Sequence, residues 1–217
     1  MNDIKELQKT ILYIAKYINY ICRKYNINYY LLGGSALGAV RHNGFIPWDD
    51  DMDIIMTASE YEKFKKYFQH CSNEKFILQE RMLCNKVYNA KIRMNNTTYI
   101  ENSILMLQDD THLGVYVDIM ILHKSPKNIF SLLKKYIYSK IAVIINLNQQ
   151  IDWFPKKKSH RFISKISKII PSKKLLKKAM KNVYKHDDLT DNYVWVYYLT
   201  KAKFKQGFFD KDVFATP

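Results

Sequence analysis

Between residues 4 and 22, apolar side chains recur at steps of three and four: Ile4, Leu7, Ile11, Leu12, Ile14, Ala15, Ile18 and Ile21. That spacing follows the 3.6-residue helical turn and predicts an amphipathic helix with one face for a core. Asn26-Ile27-Asn28 breaks the period, and Tyr29-Tyr30-Leu31-Leu32 reads as a buried strand entering a tight turn at Gly33-Gly34. A short helix is expected over 35–42. Residues 52–56 alternate carboxylate and apolar side chains before becoming wholly apolar, as a strand does. Ser59 with Glu62 makes a capping-box pattern, so the next helix is expected to open at Ser59, with Tyr61, Phe64, Tyr67 and Phe68 on its apolar face. Strands are predicted at 76–79, 86–94, 97–101 and 115–122, the last with Val115, Val117, Ile119 and Ile121 on one face.

Past Pro126 the pattern becomes helical, with expected helices at 127–145, 162–170 and 173–184 separated by Phe154-Pro155 and Pro171-Ser172. Residues 189–217 carry Trp195, Tyr197, Tyr198, Phe204, Phe208, Phe209 and Phe214, too aromatic for a disordered tail, and are expected to pack back on the core. The whole reads as an α/β (α+β) fold, a mixed sheet with flanking helices in residues 1–123 followed by a basic helical part in 124–217.

Charge sharpens that division. Residues 124–185 hold sixteen lysines and one arginine against a single acid, Asp152, a balance of +16 within a chain of net +15. The remainder is therefore close to neutral, and the two parts are expected to meet different partners. An RNA-binding role would use such charge, yet no RNA-binding motif accompanies it and the aromatics Tyr136, Tyr138 and Phe162 fall at helical spacings suited to packing. Nucleic acid is therefore not expected as a partner. Contact with an anionic membrane leaflet through 124–185 is the functional reading, and a solvated helical face the plain one. The run 129–147 is interrupted by Lys134, Lys135 and Lys140 and is not expected to span a bilayer. The N-terminal residues have neither secretory nor transit character. Cys22, Cys71 and Cys84 are odd in number, unpaired in spacing and without a zinc pattern. A cytoplasmic protein, peripheral at most on the inner face of the membrane, is expected.

The candidate chemistry centres on Trp48-Asp49-Asp50-Asp51-Met52-Asp53. If the strand reaches back far enough, alternation puts Asp49, Asp51 and Asp53 on one face and Asp50 on the other. Converging carboxylates in a poorly hydrated place cost several kcal/mol each unless a cation offsets them, and hard oxygen donors in this number suit Mg²⁺ or Mn²⁺. A solvated acidic turn is the plain alternative, weakened by the apolar flanks Ile46-Pro47-Trp48 and Ile54-Ile55-Met56. Gly33-Gly34-Ser35 sits between a strand and a helix, where backbone N–H groups cradle phosphate, with Arg41-His42 between it and the acids. Asp118, the one charge in Gly114-Val115-Tyr116-Val117-Asp118-Ile119-Met120, needs a reason to be there. Beside 52–56 it would join the acids as metal ligand or base.

The stretch from Leu32-Gly33-Gly34-Ser35 through Arg41-His42-Asn43-Gly44-Phe45-Ile46-Pro47-Trp48-Asp49-Asp50-Asp51-Met52-Asp53-Ile54 resembles the signature of the LicD family, the bacterial phosphocholine transferases related to fukutin. Lys91-Ile92-Arg93-Met94-Asn95-Asn96-Thr97-Thr98-Tyr99-Ile100-Glu101 resembles that family's basic strand followed by a Thr-Thr pair, and the segment around Asp118 its third acidic motif. Ile121-Leu122-His123 departs from the Pro-Leu-Asp usual there. The resemblance, over residues 1–123, implies a nucleotidyltransferase-like fold that moves a phospho-alcohol from a CDP-alcohol donor to a sugar hydroxyl of a glycan or glycolipid acceptor. It implies that Asp51 and Asp53 hold Mg²⁺ (or Mn²⁺) against the donor diphosphate, to which strand parity adds Asp49 as a third candidate ligand. Gly33, Gly34 and Ser35 would bind its phosphates with Arg41 and His42 nearby, Lys91 or Arg93 would neutralise developing charge, and Asp118 would complete the acidic set. A nucleotidyltransferase acting on an NTP would use the same acids, and a non-enzymatic basic membrane- or RNA-binding protein would use none of them.

Overall fold

The computed structural model describes residues 2–71, 73–80, 90–99, 112–148, 174, 178–179, 181, 189–194, 208–210 and 212. Its centre is a mixed sheet. Five strands run in the order β1-β2-β5-β4-β3, and the far end of β5 pairs with β6, which pairs with β7. The strands are β1 (Tyr30–Leu31), β2 (Asp53–Thr57), β3 (Phe76–Gln79), β4 (Ala90–Met94), β5 (Tyr116–Pro126), β6 (Leu189–Val194) and β7 (Phe208–Phe209). The helices are α1 (Asn2–Lys24), α2 (Gly33–His42), α3 (Ala58–His70) and α4 (Ile129–Asn148). Among the described strands, only β2 and β5 pair in parallel; the other neighbours are antiparallel.

Side-chain alternation divides the sheet into two unlike faces. On one, Ile54, Met56, Ile92, Val117, Ile119 and Ile121 pack against Ile11, Ile14, Ile18 and Ile21 of α1 and Tyr61, Phe64 and Phe68 of α3. Each such side chain contributes about 1.5–3 kcal/mol by leaving water, so this layer carries most of the stability. The other face holds Asp53, Asp118, Lys91 and Arg93 beside a small cluster of Ile55, Met120 and Leu122 covered by Tyr30 and Leu32. The polar chemistry is thus confined to the face that the core does not need.

Several boundaries differ from expectation, each for a local reason. β1 is an edge strand of two residues with Leu31 exposed, not a buried strand, because among the described strands it has β2 as its one neighbour. A short apolar run reads alike in either place. α3 opens at Ala58, and its cap is Thr57, whose hydroxyl accepts from the Glu60 N–H at 3.3 Å. The Thr57-x-x-Glu60 frame wins over Ser59-x-x-Glu62, and Ser59 lies inside the helix sharing a hydrogen bond with Thr57 Oγ1. The expected strand at 97–101 does not form over Thr97–Tyr99: Thr97 Oγ1 itself accepts from Val115 N–H and donates to Met94 O, ending the ladder after Asn96 turns at φ 58°. β5 runs four residues past the expected end because β6 pairs with His123 through Pro126.

Residues 86–89 and 100–101 and the helix expected at 162–170 lie outside the described residues; of 173–184, Lys174, Lys178, Ala179 and Lys181 are described and helical. In the aromatic tail, β6 lies against β5 and β7 against β6, while Trp195, Tyr197, Tyr198, Phe204 and Phe214 are outside. Cys22 is buried in the core, where burial and then the charge of Glu60 push its thiol up to about 12. Among the described residues no helix is long and apolar enough to cross a membrane.

Candidate active site

The sheet register decides what the acids do. Asp53, the first residue of β2, pairs with Asp118 of β5, and Asp118 pairs in turn with Lys91 of β4. Pairing across both strands puts the three side chains in one row on one face. Lys91 Nζ lies 3.0 Å from Asp118 Oδ2, both side chains mostly buried. The Lys91 ammonium also sits 3.3 Å from the centroid of the Tyr116 ring, which packs on its other neighbour, Arg93, at 4.6 Å. The backbone holds the row firmly, since Asp118 N–H donates to Met52 O at 3.0 Å and Leu32 N–H to Asp53 O at 3.0 Å.

Asp53 bears the electrostatic cost of this arrangement. Burial, then the carboxylates of Asp118 and Asp51, raise its pKa from 3.8 to about 7; Lys91 pulls it down and Asp49 pushes it up. That set of neighbours places Asp49, Asp51, Asp53 and Asp118 in one field. Strand alternation is not what gathers them, however. β2 begins at Asp53, so residues 49–52 form a loop and Asp50 is not turned to an opposite face. Carboxylate oxygens of Asp49, Asp50 and Asp51 all lie within 4.8 Å of one another, a spacing one cation could bridge. The donor set, hard oxygens only, therefore fits a divalent ion such as Mg²⁺ or Mn²⁺.

The glycine turn supplies the opposite wall. Gly33 takes φ +58° as α2 begins, a conformation that a side chain would strain. A Cβ on Gly34 would meet Asp49 Oδ2 at 2.8 Å, so the Asp49 carboxylate lies directly against the first turn of α2, where the helix dipole favours an anion. Ser35 Oγ accepts from Asp53 N–H at 2.9 Å, tying that turn to the start of β2. The loop between runs back along α2, held by Gly44 N–H on Gly38 O and by Gln8 of α1, whose amide donates to Ile46 O and Asp49 O at 3.1 and 2.9 Å. Gly34→Ala should weaken Mg²⁺ binding about tenfold by displacing Asp49, with a melting temperature within a few degrees of the parent; calorimetric titration with Mg²⁺ checks it.

The structure brings together Gly33, Gly34, Ser35, Asp49, Asp51, Asp53, Asp118 and Lys91. It does not bring Arg41 and His42 to them. Both are exposed in the last turn of α2, which at 1.5 Å per residue is roughly 10 Å from the glycine turn. Arg93 is 2% exposed, with Nε on Gln79 Oε1 at 2.7 Å and Nη1 on Gly114 O at 2.6 Å, so its known bonds face the protein. Sequence reasoning passed over Gln8, Tyr99 and Tyr116. Tyr116 shares strand parity with Asp118 and was there to be found. Gln8 and Tyr99, which donates from its hydroxyl to Asp50 Oδ2 at 2.6 Å, act across 41 and 49 residues and leave no local signal.

Residues 26–125, the span that contains the glycine turn, the acids and Lys91, match the family described as LicD/FKTN/FKRP, nucleotidyltransferase domain. They form a LicD-family domain. Within the same family, the lipopolysaccharide cholinephosphotransferase LicD of Haemophilus influenzae is 48% identical over 61 residues, 28% of this chain and 23% of that protein. An uncharacterised protein of Rickettsia prowazekii is 31% identical over 141 residues, 58% of this chain and 48% of that one. Ribitol 5-phosphate transferase FKRP of Homo sapiens is 45% identical over 40 residues, 18% of this chain and 8% of its own length. The chain thus spans half or less of each of these relatives. No solved structure matches.

Proposed function

We propose that this LicD-family domain transfers a phospho-alcohol from a CDP-alcohol to a sugar hydroxyl of a cell-surface glycan, with Mg²⁺ or Mn²⁺. The observation that carries this reading is the pairing of Asp53 with Asp118 across parallel strands, beside the Asp49–Asp51 loop and the first turn of α2. Relatives named for cholinephosphate and ribitol 5-phosphate transfer support the class of group moved.

In this reading Asp51 and Asp49 would hold the ion together with Asp50, which lies within 4.8 Å of both, and Asp53, which shares their field, would join them. Bound there, the ion supplies Lewis-acid neutralisation of phosphate charge. The chain's own groups do the rest. N–H groups at the start of α2 and the positive end of its dipole receive the donor diphosphate. Lys91, next to the acids, offsets charge on the phosphoryl oxygens as it passes through the transition state. Asp118 takes the proton of the attacking sugar hydroxyl. That oxygen bonds to the phosphorus bearing the alcohol, the P–O bond to CMP breaks, and CMP leaves with the electron pair. Burial of the row excludes water that would otherwise compete for the donor.

Product identity tests the reading. Purified protein with Mg²⁺ and a panel of CDP-alcohols should release CMP from one of them only when a glycan acceptor is supplied. Pyrophosphate from a nucleoside triphosphate, with no CMP from any CDP-alcohol, would replace phospho-alcohol transfer by nucleotidyl transfer at the same acids.

A further inference from the structure

We propose that the outward face of α4 is a docking surface for an anionic lipid leaflet. The inference is independent of the reaction assigned above and rests on how α4 is turned. Leu132, Lys135 and Ser139 lie on one side of this helix and are buried, Lys135 to 4% and Ser139 to 3% exposure. Ile129, Phe130, Leu133 and Ile137 lie on the opposite side, and all four are exposed, Phe130 to 76% and Ile129 to 61%. At 100° per residue those four span an arc of about 100°, the width of the apolar stripe that a helix in a globular protein turns toward its core. Here the stripe is turned outward while a lysine and a serine go inward. Scattered single exposed apolar residues need no explanation, but a contiguous face of two isoleucines, a leucine and a phenylalanine does.

Charge identifies the occupant. Lys134 is exposed at the edge of the stripe next to Phe130, and exposed Lys124 and Lys127 lie just before the helix. The segment they open, residues 124–185, has a balance of +16. An apolar stripe bordered by lysines is the pattern of a helix lying in a membrane interface, with its apolar side among the acyl chains and its cations among anionic headgroups. A second copy of the chain is disfavoured by the same charge, since the contact would bring two strongly cationic segments together. α4 follows directly on β5, the strand that carries Asp118, so docking through this face would hold the acidic row near the leaflet surface.

Sedimentation of the full chain with vesicles of phosphatidylcholine alone, or with added phosphatidylglycerol, tests the proposal. Binding is expected only to the anionic vesicles. The variant carrying Phe130→Ser and Leu133→Ser should bind them about tenfold more weakly while keeping the parent melting temperature. Equal binding to both lipids, no binding, or undiminished binding of the variant would overturn the proposal. So would a large fall in the variant's melting temperature, which would show the face covered by the chain itself, or a dimer in light scattering that the variant dissociates.

Discussion

Replacing Asp53 by Asn should abolish transfer and at the same time make the metal-free protein more stable. Asp53 is buried, paired in register with Asp118 and in the field of Asp51 and Asp49, and these neighbours lift its pKa from 3.8 to about 7. A carboxyl whose folded pKa is raised binds more protons in the folded than in the unfolded chain. Stability therefore falls as pH rises from about 4 to 7, and above that window the full cost of the charge remains. The cost is on the order of 1–4 kcal/mol, and removing it should raise the melting temperature in chelator at pH 8 by about 3–10 °C, with little change at pH 4. Bound divalent ion offsets that advantage, since an ion at 100 times its Kd adds about 2.7 kcal/mol to the parent and little to the variant. CMP release should fall by roughly 10³-fold or more. Thermal unfolding at the two pH values with chelator, beside an activity assay, checks both halves. A variant that keeps full activity would remove Asp53 from the chemistry.

Lys91 and Arg93 stand two residues apart on one face of β4, and their replacement should separate charge from architecture. Arg93 is enclosed, bound to Gln79 and to the Gly114 carbonyl and stacked on Tyr116. Arg93→Ala strips two acceptors of their donor and leaves a cavity, a loss of roughly 2–5 kcal/mol, or about 5–15 °C in melting temperature. Even Arg93→Lys should be poorly tolerated, because an ammonium lacks the planar fork that reaches both acceptors. Lys91→Met keeps a flexible apolar side chain beside Tyr116 and deletes the charge next to Asp118. In saturating Mg²⁺ it should unfold within a few degrees of the parent, while CMP release falls about 10²-fold. Calorimetry and single-turnover assays on both variants decide the matter. If Lys91→Met matched the parent in rate, Lys91 would be no more than a partner that stabilises Asp118.

How much of this could be read from the sequence depended on the range of the interactions involved. α1 and β3 were legible because their patterns are local: apolar steps of three and four in one, a bounded apolar run in the other. The fold class followed, whereas the meeting of Asp118 with the 52–56 strand was only a condition of its role, one that the register of β2 and β5 supplies. What the alternation rule could not reach was the loop. Asp49, Asp50 and Asp51 are gathered by Gln8, Gly34 and Tyr99, which act from α1, α2 and the turn after β4. Arg41 and His42 looked close to the acids along the chain, yet α2 carries them to its far end. The outward stripe of α4 was also beyond periodicity alone, because its apolar residues are spaced as a core face would be. Only burial shows that Lys135 points in and Phe130 out.

In the proposed reaction the acids hold a divalent ion against the donor diphosphate. Mn²⁺, a paramagnetic stand-in for Mg²⁺, makes that contact measurable through the ³¹P relaxation of CDP-choline and its CDP-alcohol analogues. With the parent protein, the diphosphate signals of the productive donor should broaden strongly in the presence of Mn²⁺, and the broadening should vanish with Asp53→Asn. Broadening that persists unchanged in that variant, or a parent protein that binds donor without any effect of Mn²⁺ beyond that of the free ion, would contradict it.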